Sequence, residues 1–463
     1  MPFLGTSKFS LRPNSCRVRL LFDTIYRDAG LKPSAITSRL LGNRDTSAVF
    51  RGMATLALGS GLARVIGIAT IPILTRLYTP EDFGVMAVFV SVVAILVPML
   101  TLRYVLALPL PRRDGLAMNL LVLSAGLMLI IGTALALGLA LFADHVLALM
   151  SMEVLAKWWW LIVLALIGAG SYELLSLWAT RRRAYKEIAR TEIAQSAAGA
   201  MVKIGFGAFG AGPIGLLVGQ FAAKSGGIGV LLRYFRSELQ ANWRHVRLSR
   251  LRLLAKRHSG FPLYRLPSQI LLVLSTQAPV LFIAALYDPN VTGQFGLAMA
   301  ALALPLGLLG RSTAKAYYAE AASIGRRKRA QIRQLTISVL KRLALFAAPP
   351  AILLLLFGPQ LFELVFGEKW ELAGEFASVL AIYLFVQFLQ TPAAHIFFIF
   401  EQQRNLFFLN VQRVLIVTVV FASAWYWEMR PVAAIRVYAM LLALHYGLTI
   451  FWSLRLIGKC AKT

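Results

Sequence analysis

Long apolar segments alternate with short polar connections from Gly52 to the C-terminal end of the chain. A helix that crosses the hydrocarbon core of a bilayer needs about 20 consecutive apolar residues, so the pattern predicts about twelve membrane-spanning helices, six in each half. The predicted segments are 52–76, 83–108, 116–142, 157–180, 192–210 and 213–234 in the first half, and 261–286, 291–317, 335–357, 373–400, 405–427 and 431–456 in the second.

A short turn motif occurs once in each half, at the end of the first predicted helix of that half. Both copies contain a Leu-Tyr pair, then a proline, then a glycine four residues after the proline. A motif repeated at corresponding positions indicates two copies of one helical bundle. The two copies are Leu77-Tyr78, Pro80 and Gly84 in the first half, and Leu286-Tyr287, Pro289 and Gly293 in the second.

The composition lies outside the range of soluble proteins. Of the 463 residues, 58% are hydrophobic and 15% are charged, and the mean hydropathy is +0.70. Soluble domains carry about 25% charged residues, so we predict an all-α integral membrane protein. Its predicted parts are a basic cytoplasmic tail (1–51), an N-lobe (52–236), a cytoplasmic interlobe linker (237–259), a C-lobe (260–457) and a cytoplasmic C-terminal tail (458–463).

The positive charge is concentrated in alternate connections between the apolar segments. The formal net charge is +28 and the pI is about 10.8. The intervening connections are short and mostly acidic. Since Lys- and Arg-rich loops stay in the cytoplasm, this distribution predicts that both termini lie on the cytoplasmic side of the membrane. Nucleic acid is excluded as a partner, because no soluble domain remains to hold it.

The N-terminal tail allows three interpretations. Its basic composition fits a poorly ordered tail, a short amphipathic helix over 17–26 on an anionic lipid surface, or an organelle transit peptide. The two cysteines, Cys16 and Cys460, lie near the two ends, and their spacing indicates neither a metal site nor a disulfide framework. No cofactor is expected.

Several cations lie at positions where a bilayer holds little water. Arg64, Lys203 and Lys224 lie inside the first, fifth and sixth predicted helices. A Lys or Arg at the bilayer centre costs at least about 2.5 kcal/mol, so these residues are candidates for a substrate path. Arg265 and Arg311 are further candidates, although they lie nearer helix ends, where snorkelling to the headgroups is an alternative explanation.

Few acids accompany these cations. Glu173 is the clearest acid at membrane depth in the first half, and it either pairs with a cation or takes part in coupling to protons or ions. Gln269 and Gln277 are candidates for polar lining in the seventh predicted helix, and Arg103 is interpreted as snorkelling. An interior with several cations and few acids favours an anionic ligand such as phosphate or pyrophosphate.

Three stretches carry a resemblance to a known family. They are GLARVIGIATIPILTRLYTPEDFGVMAVFVSVVAIL, FPLYRLPSQILLVLSTQAPVLFIAALYDPNVTGQFGLAMAALALPLGLLG and FGEKWELAGEFASVLAIYLFVQFLQTPAAHIFFIFEQQRNLFFLNVQRVL. They resemble bacterial polysaccharide flippases, the O-antigen and exopolysaccharide translocases of the multidrug/oligosaccharidyl-lipid/polysaccharide exporter superfamily. The resemblance covers nearly everything after residue 52.

The resemblance implies two six-helix lobes around a central cationic cavity. It also implies alternating-access transport of an undecaprenyl-pyrophosphate-linked oligosaccharide from the inner to the outer leaflet, without catalysis and without a cofactor. The oligosaccharide would be an exopolysaccharide, capsule or O-antigen unit. The implied partners are this substrate, the bilayer, and the polysaccharide polymerase and export machinery. In a related flippase an arginine at the position of Arg64 faces the cavity, and a second arginine stands where this chain has Thr70.

Three other functions were weighed against transport of a lipid-linked glycan. A multidrug or cation antiporter of the same superfamily would need acids along its cavity. A membrane polysaccharide polymerase or glycosyltransferase would need a sizeable extramembrane loop or a pair of acids. A non-transporting scaffold for the glycan machinery would tolerate the loss of the interior cations.

Overall fold

The computed structural model describes residues 44–149, 151–305 and 310–458, and these residues form helices and no strand. The predictions for residues 1–43, which include the N-terminal tail and Cys16, lie outside the described residues, as does Cys460. The described residues up to Leu56 contain only the start of the first helix. The contacts discussed below lie within the unit that begins at Ala57.

The described residues of the first half form nine α-helices and a 3-10 turn (Tyr104–Ala107) that follows the second of them. The α-helices are α1 (Arg44–Leu77), α2 (Pro80–Leu100), α3 (Asp114–Ala148), α4 (Glu153–Ala156), α5 (Trp159–Arg181), α6 (Tyr185–Ala208), α7 (Pro213–Ser225), α8 (Ile228–Trp243) and α9 (Leu248–Arg257).

The second half begins with a π-helical turn (Phe261–Arg265) and contains a 3-10 turn (Glu368–Trp370). Its α-helices are α10 (Leu266–Leu286), α11 (Pro289–Pro305), α12 (Arg311–Ile324), α13 (Arg329–Phe366), α14 (Glu371–Ala393), α15 (His395–Ile399), α16 (Gln403–Tyr426) and α17 (Pro431–Gly458).

Ten helical stretches of the described residues are long and apolar enough to span a membrane. This confirms an all-α fold of membrane-spanning type, but the predicted count of twelve is not confirmed. Two of the twelve predicted spans are not among the ten. The fifth, 192–210, falls in α6, which carries several charged and polar residues. The eighth, 291–317, includes residues 306–309 between α11 and α12, which are not described. The division into two lobes with a linker between them stays a prediction.

The repeated turn motif starts a helix in the same way in both halves. Thr79 caps α2: its hydroxyl accepts a hydrogen bond from the Asp82 amide at 3.3 Å, and the Asp82 carboxylate accepts one from the Thr79 amide at 3.0 Å. Pro80 then occupies the first helical position, where a missing N–H costs nothing. In the second copy the Asp288 carboxylate accepts a hydrogen bond from the Val291 amide at 2.7 Å, and a proline again begins the helix.

The two helices that follow these turns, α2 and α11, meet through backbone. A Cβ placed on Gly84 would lie 2.1 Å from the carbonyl oxygen of Pro289. A Cβ placed on Gly293 would lie 1.7 Å from the carbonyl oxygen of Pro80. The contact is reciprocal, because the proline of each motif faces the glycine of the other. Only glycine fits at either position without movement of the backbone.

The tyrosines of the motif also have matching roles. The Tyr78 hydroxyl donates to the carbonyl oxygen of Lys203 on α6 at 2.6 Å. The Tyr287 hydroxyl donates to the carbonyl oxygen of Met429, between α16 and α17, at 2.8 Å. Each tyrosine therefore links the end of the first helix of its half to a later segment of the same half, a helix for Tyr78 and a connection for Tyr287.

A hydrophobic cluster joins the two halves around the motif. Leu74 and Phe83 of the first half belong to it together with Phe295 and Trp370 of the second. The rings of Phe83 and Trp370 pack edge to face with centroids 4.9 Å apart, and the Trp370 indole donates to the Thr75 carbonyl oxygen at 3.1 Å. We call this region, around residues 75–84 and 287–293, the turn end of the bundle.

We expect Gly293→Ala to destabilise the protein by about 1–3 kcal/mol, because the added methyl group must push α2 and α11 apart. The thermal unfolding temperature of the purified protein in detergent measures this loss. Gly138→Ala on α3 is the matched control, since a Cβ there meets no atom within 4 Å. Equal unfolding temperatures for Gly293→Ala and the control would contradict the close contact.

Candidate functional site

Exposure has two meanings in a helix that crosses a membrane, because an exposed side chain faces either lipid or water. Leu58, Leu62 and Val65 on α1 are exposed and apolar, as expected for contact with lipid. Arg64 is exposed on the same helix, near the middle of its apolar stretch Ala54–Leu77. A guanidinium in lipid at that depth is costly, so water or an anion is the favourable surrounding for Arg64.

Arg64 lies on α1 beside residues that pack on α6. Ser60, one turn before Arg64, donates to the Glu192 carboxylate of α6, and a Cβ on Gly67, three residues after Arg64, would lie 3.8 Å from the Ser196 hydroxyl of α6. Arg64 itself is exposed, so it borders the contact between α1 and α6 without being enclosed by it.

Polar residues on one face of α6 pack against α1. The Ser60 hydroxyl donates to the Glu192 carboxylate, and the Ser196 hydroxyl donates to the Ala63 carbonyl oxygen at 2.6 Å. Glu192 and Ser196 lie four residues apart, so they share this face. The packing supplies hydrogen bonds for polar groups in a helix too polar to be counted among the ten spans.

Lys203 and Lys224 lie close together on α6 and α7. The Lys203 ammonium donates to the Gln220 side-chain oxygen at 3.0 Å, and the Lys224 ammonium lies near enough for the two charges to repel. Lys203 is half-buried and Lys224 is exposed at the end of α7. In the described part of the chain neither lysine has a carboxylate within ion-pair distance. Two neighbouring ammonium groups without an acid leave an uncompensated positive charge at this crossing of α6 and α7.

Close packing of α6 on α7 brings the lysines together. A Cβ on Gly199 would lie 2.6 Å from the Cβ of Ala223, and a Cβ on Gly219 would lie 2.2 Å from Cγ of Lys203. Small residues at this crossing allow the two backbones to approach closely. The long stem of Lys203 therefore lies along α7 and directs the ammonium group toward Gln220.

Glu173 forms a partly buried ion pair with Arg103. The guanidinium lies 2.9 Å from the carboxylate, and the two side chains are 11% and 24% exposed. Leu102 and Arg103 have φ of 45° and 61°, in the left-handed region that non-glycine residues rarely adopt. This turn of the backbone after α2 directs Arg103 back into the bundle. The interpretation of Arg103 as a snorkelling residue is wrong.

The remaining predicted residues lie in different surroundings. The Gln277 amide donates to the Ser91 hydroxyl at 3.4 Å and so links α10 to α2 across the two halves. Gln269 lies half-buried on α10. Arg265 is exposed at the end of the π-helical turn, in an open groove of about 460 Å³ that Arg257, His258, Gly260, Phe261, Tyr264 and Ser268 also line. The side chain of Arg311 lies outside the described residues, although its backbone begins α12.

The structure thus brings some of the predicted cations together and separates others. Lys203 and Lys224 are neighbours, Arg64 lies on the adjacent α1, and Arg265 lies at the far end of α10. Sequence reasoning missed two membrane-depth residues, Glu192 and Arg413. Arg413 carried a usable signal, because it lies near the middle of α16 with mostly apolar residues on both sides.

Comparison with known proteins identifies the relatives of this fold. The sequence profile of a family described as "Polysaccharide biosynthesis protein" matches residues 73–375, about two thirds of the chain. No curated protein sequence matches.

Two kinds of solved structure share the fold. A structure of lipid II flippase MurJ in an inward closed conformation superposes with a TM-score of 0.63 at 10% identity, covering 86% of this chain and 87% of that one. An inward-facing multidrug resistance MATE family transporter of the MOP superfamily superposes with a TM-score of 0.52 at 16% identity, covering 88% and 96%. At these identities the likeness shows the fold alone.

We expect Glu173→Leu to lower the free energy of unfolding by about 3–5 kcal/mol, because it leaves the Arg103 guanidinium buried without an acid. The double variant Arg103→Met/Glu173→Leu should recover most of this loss, since no charge then remains. Thermal unfolding in detergent measures both.

Glu187→Gln is the control for this pair, because Glu187 binds Arg190 at 3.2 Å where the arginine is 61% exposed. Exposed pairs contribute about 0–1 kcal/mol, so this variant should unfold near the wild-type temperature. If Glu173→Leu behaves like the control, the buried pair contributes no more than an exposed one.

Proposed function

The chain belongs to the polysaccharide biosynthesis protein family, and on that premise we propose that it is a flippase for a lipid-linked oligosaccharide. The cargo is an oligosaccharide on undecaprenyl pyrophosphate, such as an exopolysaccharide, capsule or O-antigen unit. The protein moves it from the inner to the outer leaflet of the bacterial cytoplasmic membrane. No bond is made or broken, and a polysaccharide polymerase and export machinery use the product.

The excess of unpaired cations at membrane depth carries this proposal. Lys203 and Lys224 are neighbours without an acid among the described residues, and Arg64 is an exposed cation on α1, which packs on α6. Pyrophosphate supplies the negative charge that these residues lack, while the polyprenyl tail remains in lipid. Arg265 and Arg311 extend the proposed path along the second half, with Gln269 and Gln277 as neutral lining.

The same observation weighs against a cation antiporter. Such a transporter needs free carboxylates, whereas Glu173 is paired with Arg103 and Glu192 accepts a hydrogen bond from Ser60. In this conformation Glu173 could join coupling to an ion only after its pair with Arg103 opens. The proposal of a flippase therefore uses the cations and leaves the carboxylates as internal partners.

The mechanism we assign is alternating access. We infer that the turn end lies at the periplasmic side and both termini in the cytoplasm, because Lys- and Arg-rich connections stay in the cytoplasm. Contacts between the halves close the turn end: the Asn290 amide donates to the Glu81 carboxylate at 2.6 Å, next to the Gly84 and Gly293 contacts. The cargo enters from the cytoplasmic leaflet, and rocking of the two halves opens the turn end to release it.

We expect Arg64→Ala, Lys203→Ala and Lys224→Ala each to reduce glycan export by about tenfold or more, since each removes a charge that binds pyrophosphate. Complementation of a flippase-deficient, polysaccharide-producing host measures export, and the host must supply the cognate glycan so that the wild type restores it. Lipid-linked intermediates should accumulate in the cells that carry the variants.

Two controls separate binding from folding in this experiment. Lys341→Ala changes an exposed cation on α13 and should leave export unchanged. The membrane abundance of every variant must match that of the wild type. Full export by all three cation variants at normal abundance would rule out the proposed path.

Closure of the turn end predicts that a covalent link there stops transport, because the halves can no longer separate. Glu81→Cys/Asn290→Cys, made with Cys16 and Cys460 replaced by serine, should lose export when a bifunctional thiol reagent is added and regain it on reduction. The reagent should not affect Glu81→Cys alone. Undiminished export by the linked double variant would exclude opening at this end.

A further inference from the structure

A buried arginine lies at the centre of the second half, away from the cations of the proposed path. Arg413 lies near the middle of α16 and is only 9% exposed. Its guanidinium donates to the Ser275 hydroxyl on α10 and to the Tyr446 hydroxyl on α17 at 3.4 Å. Arg413 thus connects three helices at membrane depth.

All the groups that contact this guanidinium are neutral. The Ser275 hydroxyl itself donates to the Leu272 carbonyl oxygen at 2.7 Å, and the Tyr446 hydroxyl also accepts from the Gln387 amide at 2.9 Å. Within the described residues no carboxylate lies within ion-pair distance of Arg413. The hydrogen bonds therefore satisfy two guanidinium nitrogens but do not compensate the positive charge.

Two buried nitrogens in this cluster have no hydrogen-bond partner among the described residues. They are Nε of Arg413 and Nδ1 of His445. His445 is 4% exposed and lies near enough to Arg413 for their charges to interact. A buried donor that lacks a partner costs about 1–3 kcal/mol, and more when it is charged, so such groups indicate a bound water or ion.

The positive charge of the Arg413 guanidinium favours a bound anion over a bound water molecule. A water molecule satisfies a donor but leaves the guanidinium charge uncompensated in a medium of low dielectric constant. An anion satisfies the Nε–H donor and compensates the charge at once. His445 adds a second donor when the proton resides on Nδ1.

The surroundings limit the size of this anion. The Tyr383 ring contacts the rings of Tyr438 and Tyr446, with centroid distances of 5.6 Å and 6.4 Å. All three tyrosines are buried. An anion held among buried side chains must be small, so the candidate is a small monovalent inorganic ion and not a pyrophosphate.

We propose that the second half holds one small inorganic anion of the chloride class at Arg413, with His445 as the second donor. The ion neutralises the guanidinium and so stabilises the junction of α10, α16 and α17. This site uses none of the cations of the proposed pyrophosphate path, and it can be tested without any glycolipid.

The test uses radioactive chloride and the purified full-length protein in detergent, with gluconate keeping the ionic strength constant. We expect saturable binding of one chloride per chain and a rise in unfolding temperature as chloride replaces gluconate. Arg413→Gln should weaken binding by roughly tenfold or more, because it removes the charged donors. Arg413→Lys, which keeps the charge, should retain binding at lower affinity.

Arg342→Gln is the matched control, because Arg342 is an exposed arginine on α13 outside the cluster. It should bind chloride as the wild type does. If Arg413→Gln fails to fold, His445→Ala provides the second variant and should weaken binding while leaving the guanidinium in place. No saturable binding to the wild type, or unchanged binding to Arg413→Gln, would overturn the proposal.

Discussion

The close approach of two backbones at Gly84 and Gly293 is the constraint on which the arrangement of the halves depends. Each glycine lies against the carbonyl oxygen of the proline that begins the other helix, Pro289 or Pro80. A contact without side chains allows α2 and α11 to approach more closely than interdigitated side chains would. It also lets the Trp370 indole reach the first half. The proposed rocking of the halves would begin by breaking this contact.

The order of the helices could be predicted from the sequence, because hydropathy, prolines and glycines mark both their cores and their ends. The predicted segment at 192–210 is the instructive exception, since α6 begins at Tyr185. Its first turns are polar, and Glu192 is accommodated by a hydrogen bond from Ser60 on α1. The hydropathy of one segment contains no information about a hydrogen-bond partner on another helix. A prediction from hydropathy alone therefore excludes the polar first turns of α6 and starts the helix too late.

The candidate site could be predicted only in part, for a related reason. The depth of Lys203 and Lys224 follows from the apolar residues around them, but their proximity depends on the packing of α6 on α7. No residue type in the sequence around Arg103 marks the left-handed backbone turn there, so the pairing of Arg103 with Glu173 could not be predicted. Arg413, like Arg64, lies among apolar residues near the middle of its helix. In the structure Arg413 is buried and Arg64 is exposed, and only this difference separates Arg413 from the candidates for the substrate path.

The choice of residue types on the proposed path fits a carrier that must release its cargo. Arginine binds phosphate through a rigid bidentate fork, whereas lysine acts as a flexible point charge. The two cations at the α6–α7 crossing, Lys203 and Lys224, are both lysines, and the candidate cation on α1, which packs on α6, is the arginine Arg64. A site of this kind attracts a pyrophosphate by charge without holding it in one geometry. The cargo can then leave once the halves open at the other end and water reaches it.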